Sequence, residues 1–128
     1  MPDHSEWDGL HGREILIVDD EPLLAFDHSD ELEARGALTT LAFSLGDAMT
    51  ALSRAYPQLA VLDVNLGSDL VWPVAAALTA RDIPFVLVTG FYIIGRIPID
   101  VRPGGWFEKP VMAKVVADRL SQLSRPPA

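Results

Sequence analysis

The sequence predicts an α/β protein with a doubly wound (βα)5 architecture, a parallel sheet in the order 2-1-3-4-5, and a short or degenerate fourth helix. Three observations predict it. Short apolar runs alternate along the chain with longer stretches of helical period. The runs Ile15–Val18 and Phe85–Val88 are apolar at every position, as suits strands covered on both faces. Right-handed crossovers then leave few topologies, among which 2-1-3-4-5 is common.

Ile15–Val18 is the first strand, and the stretch to Gly36 carries Leu23, Leu24, Phe26, Leu32 and Ala34 at loosely helical spacing, with Gly36 as its stop. Ala37–Ala42 is the second strand. Ser44 to Tyr56 reads as a helix stopped by Pro57. Leu59–Leu62 is the third strand. After the loop Asp63–Ser68, an alanine-rich helix is expected from about Asp69 to Arg81. Pro84 opens the fourth strand, Trp106 lies near the middle of the fifth, and Pro110 is expected at a tolerated first-turn position of the last helix. Between strands four and five the helical pattern fails. Pro98 and Pro103 would each cost about 3 kcal/mol inside a helix and Gly95 about 1 kcal/mol, and Ile97 and Ile99 alternate, so one helical turn at most or an extended loop is expected.

The chain has 128 residues, enough for one domain with a real core. Residues 1–12 read as a flexible polar lead-in, 13–124 as the domain and 125–128 as a tail. At 49% hydrophobic residues it is not a disordered chain, yet no apolar run reaches the ~18 residues of a membrane span. The acidic start does not resemble a signal peptide, so a cytoplasmic protein is expected. The absence of cysteine excludes disulfides, thiolate metal sites and thiol nucleophiles. A net charge of −8 argues against nucleic-acid phosphate as a partner. Output is therefore expected through protein contacts.

The chemistry lies where the strands end. The first run stops at Asp19-Asp20, the third at Asp63, the fourth at Thr89-Gly90, and the fifth at Lys109-Pro110. The carboxyl ends of parallel strands line one crevice, where ligands bind in such sheets. Each residue taken singly has a bland reading: a solvated turn, a helix cap, a surface lysine. Taken together they place carboxylates, a hydroxyl and an ammonium around one point, suited to a divalent cation and a phosphoryl group. Gly90 leaves access beside Thr89. Glu21 is expected to cap the first helix rather than to bind metal. His4, His11 and His28 show no ligand spacing, and His28 is expected to be solvated. Trp7 is expected to pack on the surface.

The combination Ile15-Leu16-Ile17-Val18-Asp19-Asp20-Glu21, Val61-Leu62-Asp63-Val64-Asn65-Leu66, Val88-Thr89-Gly90 and Glu108-Lys109-Pro110 resembles the receiver domain of two-component response regulators, which is flavodoxin-like. The resemblance spans about residues 13–124. The run Pro84 to Tyr92 further resembles small stand-alone bacterial receivers with a Phe-x-Thr-Gly-x-Tyr-like signature. The resemblance implies Asp63 as phosphoryl acceptor, with Mg²⁺ as cofactor bound by Asp20 directly, by Asp19 through water and by the Asn65 backbone carbonyl. It implies Thr89 and Lys109 as partners of the phosphoryl group, a cis Lys109–Pro110 bond, and a histidine kinase or histidine phosphotransferase as phosphoryl donor.

Two departures stand out. The switch position, usually Tyr or Phe, is Trp106, whose larger indole puts an inward rotation in doubt. The weak fourth helix and its isoleucines, with Phe91 and Tyr92, form a candidate docking patch for a downstream target within residues 91–109, expected to be mobile in the free form and ordered by phosphorylation or a partner. Phe91 is also expected to shield an acyl phosphate from water. Two other functions compete. In an aspartyl-phosphate phosphatase, Asp63-Val64-Asn65 would be the nucleophile loop, but Asn65 cannot serve as its general acid. In a flavin carrier, the Asp19-Asp20-Glu21 turn would have to cradle a phosphate, and it would repel one.

Overall fold

The computed structural model describes residues 9–90 and 96–124. A five-stranded parallel sheet is built from β1 (Glu14–Val18), β2 (Leu38–Ala42), β3 (Leu59–Asp63), β6 (Phe85–Thr89) and β7 (Trp106–Glu108), in the spatial order β2-β1-β3-β6-β7. With the small hairpin β4 (Asn65–Leu66) and β5 (Asp69–Leu70) set aside, this is the expected 2-1-3-4-5 order. Four helices, α1 (Pro22–Ala34), α2 (Leu45–Arg54), α3 (Trp72–Ala80) and α4 (Ala113–Leu123), occur among the described residues.

The apolar strands bury alternate residues on opposite faces. Ile15, Ile17, Val61, Val86 and Val88 pack with Ala25 and Leu32 of α1 and Val116 and Leu120 of α4. Leu16, Val18, Leu62, Phe85 and Leu87 pack with Ala48 and Leu52 of α2 and Val74 and Leu78 of α3. Period-2 side-chain alternation on a sheet covered on both sides thus explains the uninterrupted hydrophobicity of β1 and β6. Full burial of a side chain such as Phe85 stabilises the fold by about 1.5–3 kcal/mol.

Local chemistry sets the helix ends. The Ser44 hydroxyl accepts from the Asp47 amide at 3.0 Å, with Asp47 in the first turn of α2 and Arg54 in its last, as the macrodipole favours. At the end of α1, Gly36 adopts φ +91, its amide donates to the Glu33 carbonyl and the Ala37 amide to the Leu32 carbonyl. This Schellman motif makes Gly36 the stop the sequence suggested, one residue beyond the Arg35 cap.

Three expectations need correction. The helix expected from Asp69 starts at Trp72, because Asp69-Leu70 pairs antiparallel with Asn65-Leu66. Pro110 does not sit in the first turn of the last helix: it follows a cis bond after Lys109, and α4 starts at Ala113. Trp106 opens its strand instead of lying mid-strand.

No helix lies between β6 and β7 among the described residues. The stretch 96–105 instead lies against the domain. Val101 is buried and Ile97 half-buried in the core beside α3, while Ile99 is 100% exposed. The Arg102 amide donates to Thr79 Oγ1 at 3.2 Å, the Gly104 amide to the Phe85 carbonyl at 2.7 Å, and Arg119 Nε to the Gly104 carbonyl at 2.8 Å. These bonds join Arg102 and Gly104 to α3, β6 and α4. Phe91, Tyr92, Ile93 and Ile94, and with them the shielding role and most of the expected apolar patch, lie outside the described residues, as does Trp7.

Candidate functional site

Four strand ends meet at the carboxyl edge of the sheet. β1 extends its ladder by one bond, from the Asp19 amide to the Ala42 carbonyl at 3.0 Å, which carries the Asp19 side chain into the interior. Asp19 Oδ1 then accepts from the Glu21 amide at 2.9 Å, an Asx-type turn that redirects the chain into α1. Asp20 stays exposed, and its Oδ2 accepts from the Gly67 amide at 2.9 Å. Asp63 closes β3, opposite Val88 of β6, and is 4% exposed. Thr89 ends β6 and is fully buried; its carbonyl accepts from the Lys109 amide at 2.7 Å, which ties β7's end to the same edge.

Lys109 is the hub. Its ammonium lies 3.2 Å from Asp63 Oδ2, 3.3 Å from Glu21 Oε1 and 3.8 Å from Asp19 Oδ2. Asp63 Oδ1 also accepts from the Asn65 amide at 3.3 Å. Asp19, Asp20, Glu21 and Asp63 each bring one carboxylate oxygen within 4.8 Å of the others. Burial pushes the Asp63 carboxyl up to about 7, Asp19 pushes it the same way, and Lys109 and the Asn65 N–H only partly oppose them. Burial alone would lower Lys109, but Asp63 and Asp19 outweigh it and hold its ammonium above its ordinary value. Such crowding of hard oxygen donors, with one carboxylate held partly protonated, is an arrangement that a small divalent cation relieves.

The sequence placed Asp19, Asp20, Asp63, Thr89 and Lys109 at one edge, and the structure brings Asp19, Asp20, Asp63 and Lys109 into one cluster. Glu21 corrects its expected role. It occupies the position before α1, but its side chain makes no cap bond and turns instead to Lys109. The chain reversal at Asp19 brings it there. Asn65 lies in β4, beside Asp63 through its amide. Trp106, half-buried, packs against the core beside α2 and α3.

His28 is a second correction: it is 7% exposed rather than solvated. It falls on the buried stripe Ala25, His28, Ser29, Leu32 of α1. With Leu24, Val88, Lys109, Pro110 and Val111 it lines a cavity of about 280 Å³ beside the site. Burial lowers its pKa and Lys109 adds to this, against the pull of Asp19 and Asp27. The residue that sequence reasoning missed altogether is Gly67, although a Gly-x pair between two strand-like dipeptides is a hairpin signal.

No protein-family model matches the chain, and no curated protein sequence matches it. Solved structures do. A CheY-like response regulator receiver domain protein from Methanospirillum hungatei is 20% identical, with a TM-score of 0.80 over 88% of this chain and 94% of that one. A response regulator from Burkholderia pseudomallei, with a phosphorylated aspartic acid, a calcium ion and citrate, is 20% identical, with a TM-score of 0.76 over 88% of this chain and 68% of that one. A Thermotoga maritima response regulator in complex with Mg²⁺ and BeF is 21% identical, with a TM-score of 0.74 over 87% of this chain and 98% of that one. The fold is that of the response regulator receiver domain.

Proposed function

We propose that the chain is a receiver that accepts a phosphoryl group on Asp63 from a phosphohistidine of a sensor kinase or phosphotransferase, and that it signals by protein contacts. The observation that carries this reading is the buried Asp63 carboxylate with the Lys109 ammonium 3.2 Å from one oxygen and three further carboxylates around it. A phosphorylated aspartic acid and a calcium ion are named for one structure of the same fold, and Mg²⁺ with BeF for another, which supports the assignment.

An ionised Asp63 oxygen attacks phosphorus, the bond from phosphorus to the donor imidazole nitrogen breaks, and that nitrogen regains its lone pair. Lys109 supplies a fixed positive charge beside the acceptor. Thr89, at the end of the neighbouring strand, is assigned to a phosphoryl oxygen. Asp20, Asp63 and the Asn65 carbonyl would hold Mg²⁺, with Asp19 acting through water; the all-oxygen donor set fits this ion. When bound, the ion offsets repulsion between the carboxylate and an incoming phosphoryl group. No side chain is assigned as general acid for repeated turnover, so the role is phosphoacceptor rather than enzyme.

The reading places the protein in the cytoplasm; no helix among the described residues is long and apolar enough to cross a membrane. A downstream partner is assigned to the region 91–109, with exposed Ile99 in it and Trp106 as the candidate switch. Incubation with a small phosphoryl donor is expected to add one hydroxylamine-labile acyl phosphate per chain, and only with Mg²⁺ present. Equal uptake in excess chelator, or continuous turnover of a phosphomonoester, would contradict the proposal.

A further inference from the structure

We infer that Gly67 is a positioning residue for Asp20 and that the β4–β5 hairpin exists to hold the cation-binding edge of the site in place; the inference rests on the proposed reading of that site. The hairpin is pinned at its base, where the Val71 amide donates to the Val64 carbonyl at 3.0 Å and Val64, Leu66 and Val71 are all buried. Its register pairs Leu66 with Asp69, which leaves a two-residue loop, Gly67-Ser68. Gly67 has φ +64, whereas Ser68 is not among the positive-φ residues, which is the pattern of a type II′ turn with glycine first. The first central amide of such a turn takes no part in the strand ladder, so it is available to an outside acceptor. That acceptor is Asp20 Oδ2, at 2.9 Å, on the loop after β1.

The consequence is preorganisation. Asp20 is exposed, and an exposed aspartate otherwise samples several rotamers. Here one oxygen is fixed by a charge-assisted bond, and the other has no protein hydrogen bond among the described residues and remains open to a cation. The same hairpin carries Asn65, whose carbonyl is assigned to the ion. One small structural unit therefore sets two donors contributed by different strand ends. Orienting partners of this kind typically change metal affinity by 10–100-fold when removed.

The test removes one hydrogen and keeps the turn. Semisynthetic Gly67→D-Pro retains a positive φ but has no N–H; Gly67→D-Ala retains both and is the reference. Calorimetric titration of each with Mg²⁺ is expected to show affinity roughly tenfold weaker for the D-Pro protein. The Mg²⁺ concentration for half-maximal phosphoryl uptake should rise by the same factor, with uptake at saturating Mg²⁺ unchanged. Equal or tighter binding by the D-Pro protein overturns the inference. A D-Ala protein that binds Mg²⁺ but takes up no phosphoryl group defeats the phosphoacceptor reading, while the affinity ratio still decides the role of Gly67; one that binds no Mg²⁺ defeats both. In recombinant protein without cation, Asp20→Ala is expected to speed exchange of the Gly67 amide by about tenfold. Unchanged exchange likewise overturns the inference.

Discussion

In chelator at pH 8, Asp63→Asn is expected to stabilise the protein by about 2–4 kcal/mol against urea, and the gain should fade as pH is lowered to 4. The sign follows from the raised carboxyl. Burial and Asp19 lift Asp63 from 3.8 to about 7, so between these values the folded state binds more protons than the unfolded one. Wild-type stability is then fully present below about pH 4 and is lost as pH rises through about 7, where the buried carboxylate must ionise beside Asp19. Asparagine is isosteric and carries no charge, so this loss is absent. The value of about 7 already includes the opposing pull of Lys109, 3.2 Å from Asp63, so the loss of that pair is contained in the expected gain. Paired urea titrations at pH 4 and pH 8 check the prediction. A variant less stable than wild type at pH 8 would mean that the Lys109 pair outweighs the crowding.

Lys109→Met is expected to tighten Mg²⁺ binding by about tenfold at pH 9. The ammonium and a divalent cation are drawn to the same oxygens, since Lys109 lies 3.2 Å from Asp63 Oδ2 and 3.8 Å from Asp19 Oδ2. Unit charges about 4 Å apart interact by about 4 kcal/mol at the effective dielectric near a protein surface. Solvent reaching Lys109 reduces this, and so does the extra proton affinity that Asp63 acquires when its cationic neighbour is gone. The alkaline pH limits that second loss. Calorimetry on both proteins decides it, and weaker binding by the methionine variant would show that Lys109 orders the carboxylates more than it competes for them. The prediction has a functional side. If Lys109 and a cation share the acceptor's oxygens, lysine placement is a compromise between cation affinity and charge left for the incoming phosphoryl group.

The architecture was legible because burial on both faces writes itself into a strand as unbroken hydrophobicity, as in Ile15–Val18 and Phe85–Val88. The site was legible because parallel strands share one carboxyl edge, so Asp19, Asp20, Asp63 and Lys109 could be brought together from three separate motifs. Ser44 and Gly36 marked their helix ends through specific hydrogen-bonding and φ requirements. Other features depended on tertiary context. Asp69 reads as a helix start beside an alanine-rich run, and only pairing with Asn65-Leu66 makes it a strand. Pro110 reads as a first-turn proline, but Met112 is the extended N-cap and α4 begins only at Ala113. His28 sits three residues after Ala25 and four before Leu32, a buried spacing that was present in the sequence and overridden by the polarity of histidine. Glu21 differs again. Its backbone position was read correctly, but its side chain answers to Lys109, which is distant in sequence.

The central claim is that the carboxylate at the end of the third strand becomes an acyl phosphate. Mass analysis of wild type and Asp63→Asn after incubation with Mg²⁺ and a small phosphoryl donor tests it most directly. The account predicts one phosphoryl group on the wild type, mapped to the peptide containing Asp63, and none on the variant. A phosphoryl group of equal stoichiometry on the Asp63→Asn protein, or its recovery on another residue of the wild type, would contradict the account.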